Sequence, residues 1–292
     1  MNYLSNKGKA VLYMLLSSLC FAVMAALVKL SGDVPTGEKA FFRNFISFIV
    51  ATIMIIKNKQ SFWGNKENRK HLILRGIFGT IGMLFYFYCI DRMILADSSM
   101  LNKIHPFFIT IFAVWFLEEK LSKVQVPSLI LAFLGVILII KPKFDMSVLP
   151  AIIGVLSAIF AAAAYTIVRY LGNKESSYTV VFYFSFISTL ICLPLMMVNF
   201  QPLSFKQLVF LILSGVFAAI AQFALTISYR YAPASEVSIY NYTNIIFSQI
   251  IAFMLWREMP DIFSFIGYIL IIGSSLLVFI YNKKDDNIAS NN

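Results

Sequence analysis

Apolar residues in this chain neither alternate nor keep to one helical face; they run on for five or six turns at a time. A bilayer core about 30 Å thick takes roughly 20 helical residues. Ten runs of about that length can be marked, at approximately 10–30, 40–56, 72–90, 97–117, 123–141, 148–170, 178–199, 207–229, 235–256 and 262–281. Polar residues collect in short connections, the longest from Lys57 to His71, and at the two ends. The pattern predicts an all-α membrane protein with ten transmembrane helices and a disordered cytoplasmic tail over 285–292. It leaves no room for a soluble catalytic domain. The run 10–30 follows Lys7 and Lys9 but is too long for the apolar part of a cleaved leader, so it is read as a retained first helix.

The chain also matches itself. At a shift of 140 residues Ser17 meets Ser157, Ala22 meets Ala162, Val28 meets Val168 and Lys29 meets Arg169. At a shift of 139, Gly76 meets Gly215, Asp97 meets Glu236, Ser99 meets Ser238, Asn102 meets Asn241, Phe108 meets Phe247 and Glu119 meets Glu258. Two repeats are therefore expected, 1–144 with helices 1–5 and 145–284 with helices 6–10. Five is an odd number, so the second repeat must enter the membrane from the opposite side. Inverted repeats give two states of similar energy, one open to each side, with a binding site near the midplane between them.

Composition sharpens this. Of 292 residues, 60% are hydrophobic and 13% charged, and the mean hydropathy is +0.80, whereas a soluble domain carries about 25% charged residues. The surplus must face lipid. The formal charge of +10 does not form a basic stripe on a polar helix, so nucleic acid is not an expected partner. It sits instead in the connections. With the N-terminus cytoplasmic, the inside holds Lys7, Lys9, Lys57, Lys59, Lys66, Arg69, Lys70, Lys120, Lys123, Arg169, Lys174, Arg230, Lys283 and Lys284. The outside holds only Lys39, Arg92, Lys141, Lys143, Lys206 and Arg257. That bias predicts a multi-pass protein of the cell (inner) membrane with both termini cytoplasmic.

Candidate chemistry is sparse. Cys20, Cys89 and Cys192 lie inside apolar runs without metal or redox spacing, and His71 and His105 are far apart; no metal and no cofactor is expected. At about 100° per residue, Ser99, Asn102, Lys103, Pro106 and Thr110 share an arc roughly 100° wide. Ser238, Asn241, Tyr242 and Gln249 take the same arc in the ninth run, with Ile245 in the place of the proline. A lysine this deep costs roughly 2.5–3.5 kcal/mol on insertion scales. Either a partner or substrate offsets that cost, or Lys103 snorkels to the outer interface. Asn102 and Asn241 serve a site or act as helix–helix glue. Pro106 removes a backbone donor in mid-helix, which suits a hinge or a cavity wall. Gln222, Thr226 and Tyr229 on the eighth run, Tyr165 and Thr166 on the sixth and Tyr86 on the third are weaker site candidates, and packing explains each equally. His105 lies off the stripe and reads as a hydrogen-bonded packing residue. Arg43 is expected at the interface, paired with Asp33, Glu38 or lipid phosphate. Gly76, Gly79 and Gly82 read as a small face for close helix contact. The substrate-binding set is thus Lys103, Asn102, Asn241, Tyr242, Ser99, Gln249, Gln222 and Tyr165, with Pro106 as hinge and no catalytic residue.

Several motifs resemble the EamA-type members of the drug/metabolite transporter superfamily, along nearly the whole chain. They are Ala40-Phe-Phe-Arg43, Leu74-Arg-Gly76, Ala96-Asp-Ser-Ser-Met-Leu-Asn-Lys-Ile-His-Pro106 and Glu118-Glu119-Lys120-Leu121 in the first half, then Ala234-Ser-Glu-Val-Ser-Ile-Tyr-Asn-Tyr242, Glu258-Met-Pro260 and Gly267. The resemblance implies ten helices around a central cavity lined mainly by helices 1, 3, 4, 6, 8 and 9. It implies secondary-active export or exchange of amino-acid-like, nucleobase- or nucleoside-like, or S-adenosylmethionine-like solutes. Ile245 departs from the second proline of some members. The expected partners are a small-molecule substrate and the lipid bilayer, with a homodimer left open. A membrane-embedded enzyme is the competing class, but no carboxylate pair, His-Glu-x-x-His or Ser/His dyad lies deep in a run. Gly32 to Gly37 lacks the Gly-Lys-Ser/Thr of a phosphate loop. A receptor or scaffold is the third class, disfavoured by the repeat.

Overall fold

The computed structural model describes residues 6–117, 124–140, 148–231 and 238–290. Among them every regular element is helical. The first half contains α1 (Asn6–Leu30), α2 (Thr36–Lys57), α3 (Arg69–Ile90), α4 (Leu95–Asn102), α5 (His105–Leu117) and α6 (Gln125–Ile140). The second contains α7 (Leu149–Leu171), α8 (Ser177–Val198), α9 (Phe205–Tyr231), a 3₁₀ segment (Ser238–Tyr242), α10 (Thr243–Trp256) and α11 (Ile262–Ser290).

Among the described residues six helices are long and apolar enough to cross a bilayer: Gly8–Leu30, Thr36–Lys57, Lys66–Ile90, Leu149–Val168, Ser177–Val198 and Phe205–Ser228. Val126–Ile139 and Ile262–Ser274 are shorter apolar helices. Two runs expected as continuous helices are not. Run 97–117 is cut into α4 and α5, and run 235–256 opens as a 3₁₀ turn before α10. Pro106 explains the first cut, because it has no N–H to give to the carbonyl four residues back, that of Asn102. With no Gly or Pro between Ser274 and Ser290, α11 continues to Ser290.

Small side chains line much of the inner faces, beside larger ones such as Phe87, Leu95, Met100 and Leu101, and many large ones face outward. Ala22, Ala25 and Ala26 of α1, Ala158, Ala162 and Ala164 of α7, and Ala218, Ala219, Ala221 and Ala224 of α9 are buried. Leu12, Leu16, Leu19, Ile53, Ile56, Leu190, Met197 and Phe205 are exposed. A membrane solvent is as apolar as leucine, so nothing drives large side chains inside, and close backbone approach supplies the packing energy instead.

Contacts between elements come in matched sets. Helix α1 packs along α9, and α3 along α7; α2 meets α9, and α3 meets α8. Helix α1 also meets α10 and the 3₁₀ segment, as α7 meets α5 and α4; α2 pairs with α8, and α6 with α11. The glycine contacts follow the same scheme. A Cβ on Gly76 would stand 2.9 Å from Ile187 Cβ, and one on Gly215 would stand 2.5 Å from Ile46 Cβ.

The end of the bundle where α1 finishes is closed by polar ties. Lys29 Nζ meets Glu258 Oε1 at 2.5 Å and lies 4.9 Å from the Trp256 ring. Glu258 Oε2 accepts from the Leu95 amide at 3.4 Å. Lys39 meets Asp91 at 2.6 Å. Desolvation raises the Asp91 carboxyl above its ordinary range against the pull of Lys39, so this pair is lost at milder acidity than a free aspartate would need. Glu119 and Glu236, which the self-match sets against Glu258 and Asp97, lie outside the described residues, as does the segment Glu118 to Leu121.

Helices α6 and α11 touch backbone to backbone: a Cβ on Gly135 would sit 2.8 Å from Gly267 O, and one on Gly267 would sit 2.6 Å from Gly135 O. Gly267→Val should therefore push the two helices apart and cost about 1–3 kcal/mol. A thermal melt of the purified protein in detergent would read this as a clear drop in Tm; an unchanged Tm refutes the contact.

Candidate functional site

A small chamber of about 80 Å³ lies among α1, α2, α3, the α4–α5 break, α7, α8, α9 and α10. Its charged walls are Arg43, Arg75 and Lys103, and its polar walls include Asn102, Gln222, Asn244 and Tyr165. A larger groove of 640 Å³ between α5, α6 and α7 is lined by apolar side chains only, and nothing in it could orient a polar solute.

The α4–α5 break builds one side of the chamber. Helix α4 ends as the Lys103 amide bonds to Ser99 O at 3.0 Å. The Asn102 carbonyl that Pro106 cannot serve accepts instead from His105 Nδ1 at 2.9 Å, which sets the proton on that nitrogen. The His105 ring lies 4.9 Å from Tyr165. Asn102 Nδ2 donates to Ser157 Oγ of α7 at 2.7 Å. Lys103 is 8% exposed, and its ammonium turns inward, donating to Asn241 Oδ1 at 3.0 Å and lying 5.4 Å from the Phe21 ring. Asn241 comes from the 3₁₀ turn of the second half and is held in turn. Ser18 Oγ donates to its carbonyl at 3.5 Å, and Asn244 Nδ2 donates to Ser18 O at 2.8 Å.

The other sequence candidates fall in different places. Tyr165 and Gln222 line the chamber. Ser99 sits one layer behind it, bonded to Tyr86 Oη at 3.1 Å and Ser248 Oγ at 3.2 Å, and Tyr86 lines the wall. Tyr242 is buried in an apolar cluster with Ile104, Val136 and Tyr268, and Gln249 donates to the Glu258 carbonyl at 3.1 Å, at the closed end; neither lines the chamber. The 100° stripe assumed a straight helix, and the breaks re-aim everything beyond residue 103 or before residue 243.

Sequence reasoning missed the two arginines. Arg43 does not pair with Asp33 or Glu38 at the interface. It is 3% exposed, with Nη1 donating to Asn44 Oδ1 at 2.5 Å and its Nε without a partner. Arg75 is 2% exposed, and neither its Nε nor its Nη1 has a partner. Both guanidinium groups lie over the Phe184 ring, at 5.5 and 4.3 Å, and Arg75 lies 5.8 Å from Tyr165. The signal was present: each lies about two turns inside an apolar helix, the depth that marked Lys103. The lining extends past the helices that the family resemblance implied, because α2 contributes Arg43 and α8 contributes Phe184.

A multi-pass helical protein with a small, cation-lined chamber at broken helices has the architecture of a solute carrier, and similarity to known proteins agrees. The chain belongs to the EamA-like transporter family, whose model matches it twice, over residues 8–141 and 148–280. It is 32% identical over 265 residues to the pseudopaline exporter CntI of Pseudomonas aeruginosa (strain UCBPP-PA14), covering 90% of this chain and 93% of that one. It is 28% identical over 287 residues to human solute carrier family 35 member G1, covering 92% of this chain and 78% of that one. A crystal structure at 15% identity shares the fold with a TM-score of 0.70, over 93% of this chain and 98% of that one.

His105→Phe should leave the half-buried Asn102 carbonyl without its donor, at a cost of about 1–3 kcal/mol. His105→Gln keeps a donor and should lose less. Equal melting of the two variants in detergent would show that the ring, not its proton, is what matters.

Proposed function

We propose that the protein is a secondary-active carrier that exports or exchanges a small metabolite bearing an anionic group, by alternating access between two inverted repeats, 1–144 and 145–284. The observation that carries this is the Lys103 ammonium, buried in a central chamber and bonded to Asn241. These two residues come from breaks at corresponding places in the two halves. A charge in hydrocarbon is costly and is kept where it serves a solute. A purely cationic solute would meet repulsion there. Among amino-acid-like, nucleoside-like and S-adenosylmethionine-like solutes, those with a free carboxylate or phosphate fit this chamber.

The matched contact sets support the ten-helix inverted repeat. Exchanging α1 for α7, α2 for α8, α3 for α9, α4–α5 for the 3₁₀ segment and α10, and α6 for α11 turns the helix contacts described above into one another. The two successive family matches divide the chain at the same place. At 80 Å³ the chamber is smaller than the roughly 300–1,000 Å³ of small-molecule pockets, so it must widen to load. Parting the Lys29–Glu258 and Lys39–Asp91 pairs is the movement that would open that end. The exporter CntI argues for efflux as the working direction.

Lys103→Ala should abolish flux by the purified protein in liposomes, with folding retained, while Lys103→Arg should keep a part of it, since charge survives and shape changes. Wild-type flux from Lys103→Ala would remove Lys103 from the site. For topology, the lysine bias places both termini in the cytoplasm and the closed end outside. An alkaline phosphatase fusion after Ser204 should be active and one after Asn287 inactive; the reverse pattern would invert the assignment.

A further inference from the structure

Among the described residues three cations and no carboxylate line one small chamber. Four described acids of the same bundle bond to other groups. Asp97 accepts from Tyr268 Oη at 2.6 Å, Glu258 holds Lys29, Asp91 holds Lys39, and Glu38 accepts from the Gln201 amide at 3.3 Å. Arg43 and Arg75 have no acidic partner among the described residues, and what they do touch there is neutral: Asn44, Met83 and the rings of Phe184 and Tyr165. Lys103 has the oxygen of Asn241, again neutral.

The cations form two poles. Arg43 and Arg75 share the Phe184 ring at one, and Lys103 with Asn241 makes the other. Tyr165 touches both neighbourhoods: its ring lies 5.8 Å from Arg75 and 4.9 Å from the ring of His105, two residues along from Lys103. Arginine presents a planar fork that matches a carboxylate or phosphate with two parallel bonds, whereas lysine offers a point charge. Unpaired guanidinium nitrogens that are buried stay costly until an acceptor meets them. One anionic group can engage one pole and leaves the other uncompensated.

We infer that the transported solute carries at least two anionic groups, carboxylates or phosphates, one held by Arg43 and Arg75 and the other by Lys103 with Asn241. This rests on the carrier reading and narrows it: a monoanionic amino acid satisfies half of the chamber. Asn102, Gln222 and Asn244 are the neutral donors and acceptors left for the middle of the solute.

The test compares culture medium from cells that overproduce the full-length protein with medium from cells that lack it, by untargeted mass spectrometry. Flux of the responding solute is then measured with purified protein in liposomes. The expected result is a solute with two or more carboxylate or phosphate groups, raised at least tenfold in the medium. Carboxylic acids and phosphate esters are told apart by the fragments they lose. Arg75→Gln and Lys103→Gln, at wild-type abundance in the membrane, should each cut that flux at least tenfold. Arg75→Lys keeps the charge without the fork and should retain more flux than Arg75→Gln, which separates loss of charge from misfolding. A neutral, cationic or singly anionic solute overturns the inference and leaves the carrier standing, as does wild-type flux through Arg75→Gln. No responding solute, and no flux in liposomes, overturns the carrier itself.

Discussion

One carbonyl that cannot be served by its own helix organises the centre of this protein. Within a bilayer there is no water to meet a free backbone oxygen, so irregular backbone survives only where protein or a cavity surrounds it. Pro106 denies the Asn102 carbonyl its amide, and the His105 ring supplies the missing proton. The helix stops, Lys103 becomes the capping residue of α4, and its side chain turns into the interior. The second half has no proline at the corresponding place, yet reaches a similar result with a 3₁₀ turn over Ser238–Tyr242, pinned to α1 through Ser18. Two different local devices thus bring Lys103 and Asn241 within a hydrogen bond.

The rest of the bundle makes that centre tight. Alanines and glycines on the inner faces let helix backbones approach closely, while many of the larger apolar side chains go to lipid. A chamber this narrow leaves little room for water to screen charge, which is why buried arginines stacked on Phe184 and a lysine held by one amide are consequential. The ion pairs at the closed end belong to the same logic. Lys29 and Lys39 meet acids, whereas Arg43, Arg75 and Lys103 meet only neutral groups among the described residues.

How much was legible beforehand depended on distance along the chain. The apolar runs, their approximate ends and the membrane setting follow from lengths and composition, because the bilayer sets a near-fixed requirement for each crossing. The self-match around Asn102 and Asn241 pointed to two segments that meet through the Lys103–Asn241 bond, and depth alone singled out Lys103. Arg43 was read as an interface residue and Arg75 only as part of a motif, because each lies three residues from the start of its apolar run, although the helices themselves begin earlier, at Thr36 and Arg69.

The sequence by itself determined that this chain lives in a membrane as a set of apolar helices and that its two halves are related, since hydrophobic length and repetition are local properties of the string. Only the tertiary structure decided which polar groups meet. A straight-helix projection put Tyr242 and Gln249 beside Lys103. The breaks at 103–104 and 238–242 turned Tyr242 into an apolar cluster and Gln249 toward Glu258. Residues from α2, α3 and α8, far apart in the chain, closed the chamber with Arg43, Arg75 and Phe184. The reason is physical: a helix period holds only while the helix does, and the neighbours that satisfy a buried charge are chosen by packing across the bundle.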